Sequence, residues 1–322
     1  MTDYREILFV HFLPSLGFLL ALVLLSRILT ERRSPASTMA WLLAVIFIPY
    51  VAVPMYIIIG GRKIKFLQNV KPMLPEDGPV TEAERAGSPA ATRGNESVYD
   101  VFCPMLIPPR HHGVYPATRG NRVVLLPEGE QAFDECLALI ETARETIYCA
   151  TFILGNDETG QAIVSALTKK AGQGLNVRLL LDAVGSMKVR GKFLSEFHRA
   201  GGKSAFFMPM VHLPLRGRAN LRIHRKSLIA DNRSAIMGGM NMAWEYMGPY
   251  RPGRDRWRDL SLRVEGPAAS QISDIFRSDW RFASGEALPA PSLAAPVTDL
   301  PGGVQLIASG PDVREDTLRE AI

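Results

Sequence analysis

Cysteine is scarce in this chain of 322 residues, which contains only Cys103, Cys136 and Cys149. Three cysteines cannot all pair into disulfides, and their spacing matches no cysteine-based metal site. His111 and His112 are adjacent but have no cysteine or carboxylate close by in the sequence, so a surface loop is favoured over a metal site. The sequence therefore predicts reduced, core-filling cysteines and implies neither a metal nor any other cofactor.

Charge is absent from two long runs near the N-terminus, residues 7–26 and 37–61. Each run is long enough as a helix to cross a hydrocarbon layer of ~30 Å. A cleaved signal peptide is disfavoured for the first run, because no small-x-small site precedes Arg27 and a second apolar run follows at once. Residues 1–70 are therefore predicted to form a transmembrane hairpin.

The basic residues around the two runs predict the orientation of this hairpin. Two spans would place the N-terminus and the large C-terminal part on the same side, and cationic flanks favour the cytoplasm. The connecting loop holds three basic residues, Arg27, Arg32 and Arg33. The other side holds five, which are Arg5, Arg62, Lys63, Lys65 and Lys71. The bias predicts a multi-pass membrane protein whose C-terminal part faces the cytoplasm.

Alternation of aromatic and basic residues, which is typical of proteins that bind single-stranded nucleic acid, is also lacking. The formal net charge of +5 nevertheless suits an anionic partner. A domain held at a bilayer meets lipid phosphates first, so an anionic phospholipid is favoured and no nucleic-acid partner is expected.

One tract in the second half of the chain carries reactive residues at fixed spacing. Residues 221–242 read LRIHRKSLIADNRSAIMGGMNM, an H-x-K-x4-D pattern followed by a glycine pair and an asparagine. A local strand–turn–strand is predicted, with the turn at residues 231–233. The reactive members are His224, Lys226, Asp231, Gly238, Gly239 and Asn241.

These residue types suit the chemistry of a phosphodiester. The His224 imidazole can attack phosphorus and leave again near neutral pH. Lys226 lies two residues further along the predicted strand, so it shares the face of His224 and can offer its ammonium to phosphate oxygens. Gly238 and Gly239 would let the backbone approach a phosphate closely, and Asn241 would add a neutral amide donor.

The tract resembles the catalytic motif of the phospholipase D superfamily, and the chain from residue 1 to residue 322 resembles the bacterial cardiolipin synthases within it. Gly239 departs from the serine that many members of the superfamily carry there. Further short patterns follow one another in the order seen in that family: Ala40-Trp41-Leu42-Leu43, Gly60-Gly61-Arg62, Asp182-x-x-Gly185-Ser186, Glu245-Tyr246, Val264-Glu265-Gly266-Pro267-Ala268 and Asp279-Trp280.

The resemblance implies a membrane-bound phosphatidyltransferase of the bacterial inner membrane. Such an enzyme joins two phosphatidylglycerols through a phosphatidyl-histidine and releases glycerol, without a metal. In this family two lobes each supply one histidine, so His224 would be one of a pair. Lys226, Gly238, Gly239 and Asn241 would bind the phosphate, and Asp231 would orient or charge-stabilise a histidine.

Strand and helix patterns alternate from residue 121 to residue 288, with strands at 123–126, 146–154 and 177–182 and helices at 131–144, 160–172 and 193–199. A further strand at 259–264 leads into a helix that ends at Trp280. This alternation predicts one α/β lobe with a mixed, mostly parallel sheet. Residues 71–120 are rich in Pro, Gly, Ser and Thr and are predicted to be a linker or an irregular lid.

The H-x-K-x4-D pattern occurs only once, although the family uses two copies. Residues 304–310 echo residues 123–129, so residues 289–322 are predicted to be an inter-lobe linker and the first strand of a second lobe. The sequence then represents half of an active site, completed by a second lobe in cis. Two alternatives remain open: a homodimer in which each chain supplies one motif, and an inactive membrane protein that binds anionic lipid.

Overall fold

The computed structural model describes residues 13–30, 35–59, 74, 113–208, 222–253, 255–290, 292–298 and 303–310. These residues belong to two compact units, one holding the N-terminal helices and the other the α/β sheet. Most of the predicted linker, the histidine pair at residues 111–112 and residues 311–322 lie outside the described residues.

The structure describes three helices in the N-terminal unit: α1 (Leu13–Thr30), α2 (Pro35–Phe47) and α3 (Pro49–Ile59). Their shared core contains Leu24, Ile28, Val45, Ala52, Val53 and Tyr56. Among the helices in the described ranges, none combines the length and the apolar character needed to cross a membrane.

The second apolar run is not one straight helix. The rings of Trp41 in α2 and Tyr56 in α3 meet at right angles, with their centroids 5.2 Å apart. In a straight helix, fifteen residues would separate the two positions by ~22 Å. The two helices therefore fold back on each other about Ile48, which lies between them.

Seven strands and four α-helices build the α/β unit among the described residues, joined by two short 3-10 turns. In chain order they are β1 (Arg122–Leu126), α4 (Gly129–Thr142), β2 (Thr146–Thr151), α5 (Glu158–Gly172), β3 (Asn176–Asp182), α6 (Ser195–Arg199), β4 (Lys203–Phe207), β5 (Lys226–Ala230), β6 (Ser234–Gly238), β7 (Ser261–Glu265) and α7 (Pro267–Ser284).

The sheet has the strand order β1-β7-β6-β5-β2-β3-β4. The prediction of a mixed sheet is confirmed, but the prediction that it is mostly parallel is wrong. Among the described strands, only β2 with β3 and β3 with β4 pair in parallel, while the other four pairings are antiparallel. The reason is that β5 and β6 form a tight hairpin, β7 returns beside β6, and β1 pairs with β7 instead of starting a parallel crossover.

Helices cover both faces of the sheet. Alternate residues of β2 point to opposite faces, so Ile147 and Cys149 join the core beneath α4 and α5. Tyr148 points the other way and stacks on Phe276 of α7, with ring centroids 5.0 Å apart. Helix α7 is buried along residues 267–280, although several of its side chains are polar or charged.

The predicted first strand of a second lobe has a more local partner. Val304 and Ile307 form isolated antiparallel bridges with Thr118 and Val114. Leu306 is buried, and its carbonyl accepts a hydrogen bond from the Tyr115 amide at 2.9 Å. Residues 303–310 thus pack against the segment that precedes β1, and their membership of a second lobe stays a prediction.

The first turn of α5 is packed so tightly that it requires glycine. A Cβ at Gly160 would lie 1.9 Å from the Gly155 carbonyl oxygen, whereas a Cβ at Gly172, at the end of the same helix, would meet nothing nearer than the Ala200 Cβ at 3.9 Å. We expect Gly160→Ala to lower the free energy of unfolding by about 2 kcal/mol or more. Gly172→Ala is the matched control, expected to be neutral or to stabilise by about 0.5–1 kcal/mol. Thermal unfolding of the purified full chain, followed by circular dichroism, measures both, and equal melting temperatures would contradict the packing described.

Candidate active site

The predicted catalytic histidine and lysine lie at one end of the central strand. Lys226 is the first residue of β5 and His224 precedes it by two residues. Both side chains lie near the ring of Phe152, which follows β2. The His224 ring centroid lies 5.2 Å from the Phe152 ring centroid, and the Lys226 Nζ lies 5.8 Å from it. The structure therefore brings His224 and Lys226 together, as their spacing predicts.

Lys226 is a buried cation with a single close acceptor among the residues that the structure describes. It is 5% exposed, and its Nζ donates a hydrogen bond to the His224 carbonyl oxygen at 3.0 Å. Within the described residues, no carboxylate lies within ion-pair distance of its ammonium. Burial lowers the pKa of Lys226 to about 8, and the charge of Asp259 opposes that shift. An unpaired, desolvated ammonium of this kind attracts a phosphate strongly.

His224 is exposed, in contrast to its lysine neighbour. Partial burial lowers the pKa of His224 below its usual value, the Lys226 charge lowers it further, and the Asp259 and Asp182 carboxylates oppose both effects. The imidazole is thus mainly neutral at pH 7. A neutral, accessible imidazole is the form that can act as a nucleophile or a base.

Asn241 lies beside the same end of the sheet. It is 2% exposed, and its Oδ1 accepts a hydrogen bond from the Ile153 amide at 3.0 Å. This contact fixes the orientation of the side-chain amide, because the oxygen must face the amide of Ile153. Its Nδ2 forms no hydrogen bond with any residue in the described ranges, so it is a donor fixed near the end of β2.

Gly238 and Gly239 lie opposite the lysine, where the backbone must pass close to β7. Gly238 pairs with Lys226 on one side and with Ser261 on the other. A Cβ at Gly238 would lie 2.3 Å from the Leu260 carbonyl oxygen, and a Cβ at Gly239 would lie 1.9 Å from Asp259 Oδ1. The Gly239 amide donates to the Leu260 carbonyl at 2.9 Å, so the sheet uses this donor. A contact between the glycines and a phosphate stays a prediction.

The structure does not bring Asp231 to His224. Asp231 follows the other end of β5, where its backbone has a φ of 52°. Its carboxylate accepts hydrogen bonds from the backbone amides of Arg144, Glu145 and Thr146 at 2.9, 2.8 and 2.9 Å. The aspartate therefore ties the β5–β6 turn to the start of β2. Through these bonds it positions the strand that carries Lys226 without touching the reactive residues.

Three contributors to the site were not predicted from the sequence as site residues. Asp259 acts on both His224 and Lys226 through its charge, and the ring of Phe152 lies near both side chains. Asp182 raises the pKa of His224 from a third strand. The sequence shows that Asp259 lies just before β7 and Phe152 just after β2. It does not show that both residues lie near the end of β5, which depends on the strand order.

The loop after Asp182 holds the backbone around Phe152 in place through hydrogen bonds. The Asp182 Oδ1 accepts hydrogen bonds from the amides of Val184 and Gly185 at 2.8 and 3.0 Å. Ser186 then donates its hydroxyl to the Phe152 carbonyl and accepts from the Leu154 amide, each at 3.0 Å. A Cβ at Gly185 would lie 2.2 Å from the Phe152 carbonyl oxygen, so this position requires glycine. These three contacts together explain the D-x-x-G-S pattern.

An ion pair attaches the motif to helix α7. Arg225, between His224 and Lys226, donates from Nη1 to both carboxylate oxygens of Asp279 at 2.8 and 3.0 Å. Its Nη2 donates to the Ser309 carbonyl at 3.0 Å. The same region contains an open cleft of about 250 Å³, lined by Phe207, Arg222, Ile223, His224, Arg225, Ser309 and Gly310. His224 therefore opens onto a cleft bordered by the C-terminal segment.

No set of three or more His, Cys, Asp or Glu side chains is arranged to hold a metal ion in the part of the chain that the structure describes. Cys136 and Cys149 are buried free thiols, and burial raises the pKa of Cys136 to about 12. His198 is exposed and shares a hydrogen bond of 2.8 Å with the Ser204 hydroxyl. These residues take no part in the cluster around His224.

Comparison with known proteins supports the sequence resemblance. Residues 136–280 match the family model described as "Cardiolipin synthase, PLD-like domain". We therefore refer to residues 136–280 as the phospholipase D-like domain. Residues 18–61 match a second family model, "Phospholipase_D-nuclease N-terminal". The phospholipase D-like domain thus contains every predicted site residue.

Curated relatives agree with this assignment. A cardiolipin synthase of Geobacillus kaustophilus is 32% identical over 303 residues, which cover 90% of this chain and 58% of the relative. The major cardiolipin synthase ClsA of Bacillus subtilis is 32% identical over 321 residues, which cover 92% of this chain and 62% of the relative. The chain therefore spans about 60% of the length of these relatives.

A solved phospholipase D family member, Nuc from Salmonella typhimurium, also resembles the chain. The match covers 51% of this chain and 95% of that one at 16% identity, with a TM-score of 0.36, which is too low to support an inference.

In the phospholipase D-like domain, the negative charge of Asp259 should raise the pKa of His224 and so oppose the lowering by burial and by Lys226. We expect Asp259→Asn to lower the pKa of His224, because the mutation removes a negative charge that favours the imidazolium. Titration of the full chain by NMR with isotopically labelled histidine measures this pKa, and a His224→Gln spectrum assigns the signal. Asp255→Asn removes an exposed carboxylate from the same loop and should leave the titration unchanged. A His224 pKa that rises or does not move in Asp259→Asn would contradict the coupling.

Lys226 should destabilise the phospholipase D-like domain at neutral pH. The pKa of Lys226 in the folded chain is about 8, below the ordinary 10.5. Below pH 8 the buried lysine is charged, and its burial lowers the free energy of unfolding by the full amount. Between pH 8 and about 10.5 the unfolded chain binds more protons than the folded chain, so this cost falls as the pH rises. We expect Lys226→Met to raise the melting temperature at pH 7 and to lose much of that advantage at pH 10.

Thermal unfolding of both full-length proteins at the two pH values measures the effect. Lys169→Met, which removes an exposed ion pair with Glu141, is the control and should change the stability by no more than about 0.5 kcal/mol. A less stable Lys226→Met protein at pH 7, or an advantage that does not depend on pH, would contradict the prediction.

Proposed function

We propose that this chain is part of a membrane-bound phosphatidyltransferase that joins two phosphatidylglycerols into cardiolipin and releases glycerol. One observation carries the proposal. A neutral, accessible imidazole, His224, lies beside a buried ammonium, Lys226, whose close acceptor is a backbone carbonyl. The curated relatives named cardiolipin synthase support the choice of lipid.

The first chemical step is transfer of a phosphatidyl group to the protein. An imidazole nitrogen of His224 or of its paired histidine forms a bond to phosphorus, and the bond from phosphorus to the glycerol headgroup breaks. The partner histidine gives a proton to the departing glycerol oxygen. Lys226 and the Nδ2 of Asn241 stabilise the charge on the non-bridging phosphate oxygens.

The second step reverses the first with a different alcohol. The partner histidine takes the proton from a headgroup hydroxyl of a second phosphatidylglycerol, and that oxygen attacks phosphorus. The bond between phosphorus and the histidine breaks, which yields cardiolipin and the free imidazole. Water in place of the second lipid would give phosphatidate, so exclusion of water separates transfer from hydrolysis.

The partner histidine must come from outside the cluster around His224. A second lobe in cis is favoured, because Ser309 and Gly310 border the cleft in front of His224 and Ser309 accepts a hydrogen bond from Arg225. Residues 309 and 310 thus lie beside the reactive histidine. A second copy of this chain that faces the first is the alternative.

The proposal includes the predicted organisation and location. Residues 1–70 attach the protein to the bacterial inner membrane, and residues 71–120 link them to lobe 1 at 121–288, which faces the cytoplasm. Residues 289–322 lead into lobe 2. A multi-pass arrangement of the N-terminal segment stays a prediction. The partner is an anionic phospholipid, with no nucleic acid and no metal in the reaction.

The test compares two proteins in vesicles that contain labelled phosphatidylglycerol: the 322-residue chain and the complete product of its gene. Thin-layer chromatography separates cardiolipin from phosphatidate. We expect cardiolipin from the complete product, and a loss of at least about a thousandfold in His224→Ala, because the nucleophile or its partner base is removed. His198→Ala removes an exposed histidine outside the cluster and should keep full activity.

Other outcomes would overturn parts of this proposal. Phosphatidate alone would identify a lipid hydrolase. Full activity of the 322-residue chain as a dimer would place the second histidine in trans. Vesicle binding without turnover, unchanged by His224→Ala, would identify a lipid-binding protein that lacks catalysis.

A further inference from the structure

The N-terminal unit contains a pair of short helices whose geometry differs from that of a transmembrane span. Helices α2 and α3, here called the apolar hairpin, fold back on each other. Trp41 contacts Tyr56, and Val45 shares a core with Ala52 and Val53. Trp41 and Tyr56 are equally far along the chain from the reversal at residues 48–49, as in a helical hairpin.

Local sequence explains the reversal. Pro49 has no amide hydrogen and disfavours helical geometry at Ile48, so α2 ends there. The Ile48 amide still donates to the Ala44 carbonyl at 2.9 Å, and the Ile48 carbonyl accepts from the Ala52 amide at 2.9 Å. One residue thus ends the first helix and begins the second, and Pro49 occupies the first position of α3, where a missing amide is tolerated.

The tip of the apolar hairpin exposes large side chains. Ile46, Phe47, Ile48, Tyr50 and Val51 are 58%, 76%, 56%, 60% and 56% exposed. No charged residue occurs anywhere in residues 35–59. A contiguous apolar tip of this kind is unfavourable in water and requires an apolar partner.

The lengths of the two helices indicate which partner fits. Helix α2 has 13 residues and α3 has 11, which correspond to ~20 Å and ~16 Å. One leaflet contributes ~15 Å of a hydrocarbon core of ~30 Å. A helical hairpin also satisfies its backbone hydrogen bonds internally, as an element surrounded by lipid must do.

We propose that the apolar hairpin enters one leaflet of the membrane tip first and returns to the face from which it entered. Its partner is the acyl layer of a phospholipid bilayer, with the side chains of residues 46–51 in contact with lipid. Residues 36 and 59 then lie on the same side of the membrane. This inference rests on the proposed membrane attachment of the N-terminal segment and does not depend on the chemistry at His224.

Single-cysteine labelling tests the path of the chain. Ala36→Cys and Ile59→Cys mark the two open ends of the hairpin, and Ile48→Cys marks the tip. Each is placed in the full chain with Cys103 changed to serine, while Cys136 and Cys149 remain as buried thiols. An impermeant maleimide is applied to right-side-out spheroplasts and to inside-out vesicles. The hairpin predicts that both ends are labelled from the same side and that the tip is labelled from neither.

A fluorescence measurement checks the depth independently. A polarity-sensitive dye on Ile48→Cys, in vesicles of phosphatidylethanolamine and phosphatidylglycerol, should emit at shorter wavelength and be quenched most by lipids spin-labelled deep in the acyl chain. The same dye on Ala36→Cys is the matched control, because this position is also exposed but lies at the open end. We expect the control to be quenched most by spin labels at the headgroup.

Two results would overturn the inference in different ways. Labelling of the two ends from opposite sides would show that residues 37–61 cross the membrane as one span. Aqueous emission from both dye positions, with protein released from membranes by alkaline carbonate, would show that the N-terminal segment does not attach to lipid, which also removes that part of the proposed function. A loss of cardiolipin synthesis with normal labelling would affect the proposed chemistry alone.

Discussion

The candidate site depends on the central position of β5 in the sheet. This strand is fourth of seven, and it pairs antiparallel with β2 on one side and with β6 on the other. The first pairing brings Phe152 beside His224, and the second brings Gly238 opposite Lys226. A shift of one residue in either register would turn the lysine to the opposite face of the sheet. Asp231 opposes such a shift, because it attaches the far end of the strand to three backbone amides.

The neighbours of β5 convert this placement into reactivity. Gly238 and Gly239 let β7 and the Asp259 carboxylate come close, so that a negative charge acts on both reactive side chains from across β6. Arg225 meanwhile pairs with Asp279 in the buried helix α7, so the residue between histidine and lysine is itself held. The ion pair of Arg225 and Asp279 thus holds the strand that carries the buried Lys226. Charged groups that are unfavourable to bury are typical of functional sites.

The local parts of this arrangement could be predicted from the sequence. The spacing of His224 and Lys226 predicts that they share a face, and the Asp231 turn follows from its residue types. Asp259 could not be assigned to the site, because it lies 35 residues after His224 and reaches it only through the pairing of β6 with β7. The mostly antiparallel sheet was missed for the same reason, since strand–helix alternation does not show that β7 returns beside β6. Strand β4 was also not predicted from the sequence.

Hydropathy had a similar limit in the N-terminal unit. The uncharged run at residues 37–61 has the length of a membrane span, but its length does not show whether the chain continues straight or folds back. Pro49 was the local signal of a reversal, and a proline is also compatible with a spanning helix. Only the contact of Trp41 with Tyr56 separates the two possibilities, because it joins residues that no straight helix brings together.

The buried ammonium of Lys226 also couples the site to protons in solution. Above pH 8 much of the free site holds a neutral amine, because its pKa is about 8. An anion that binds there favours the ammonium and raises that pKa again. Occupation of the site in mildly alkaline solution is then accompanied by net uptake of a proton. By reciprocity, acidification of the surroundings tightens the binding of an anion until Lys226 is fully protonated.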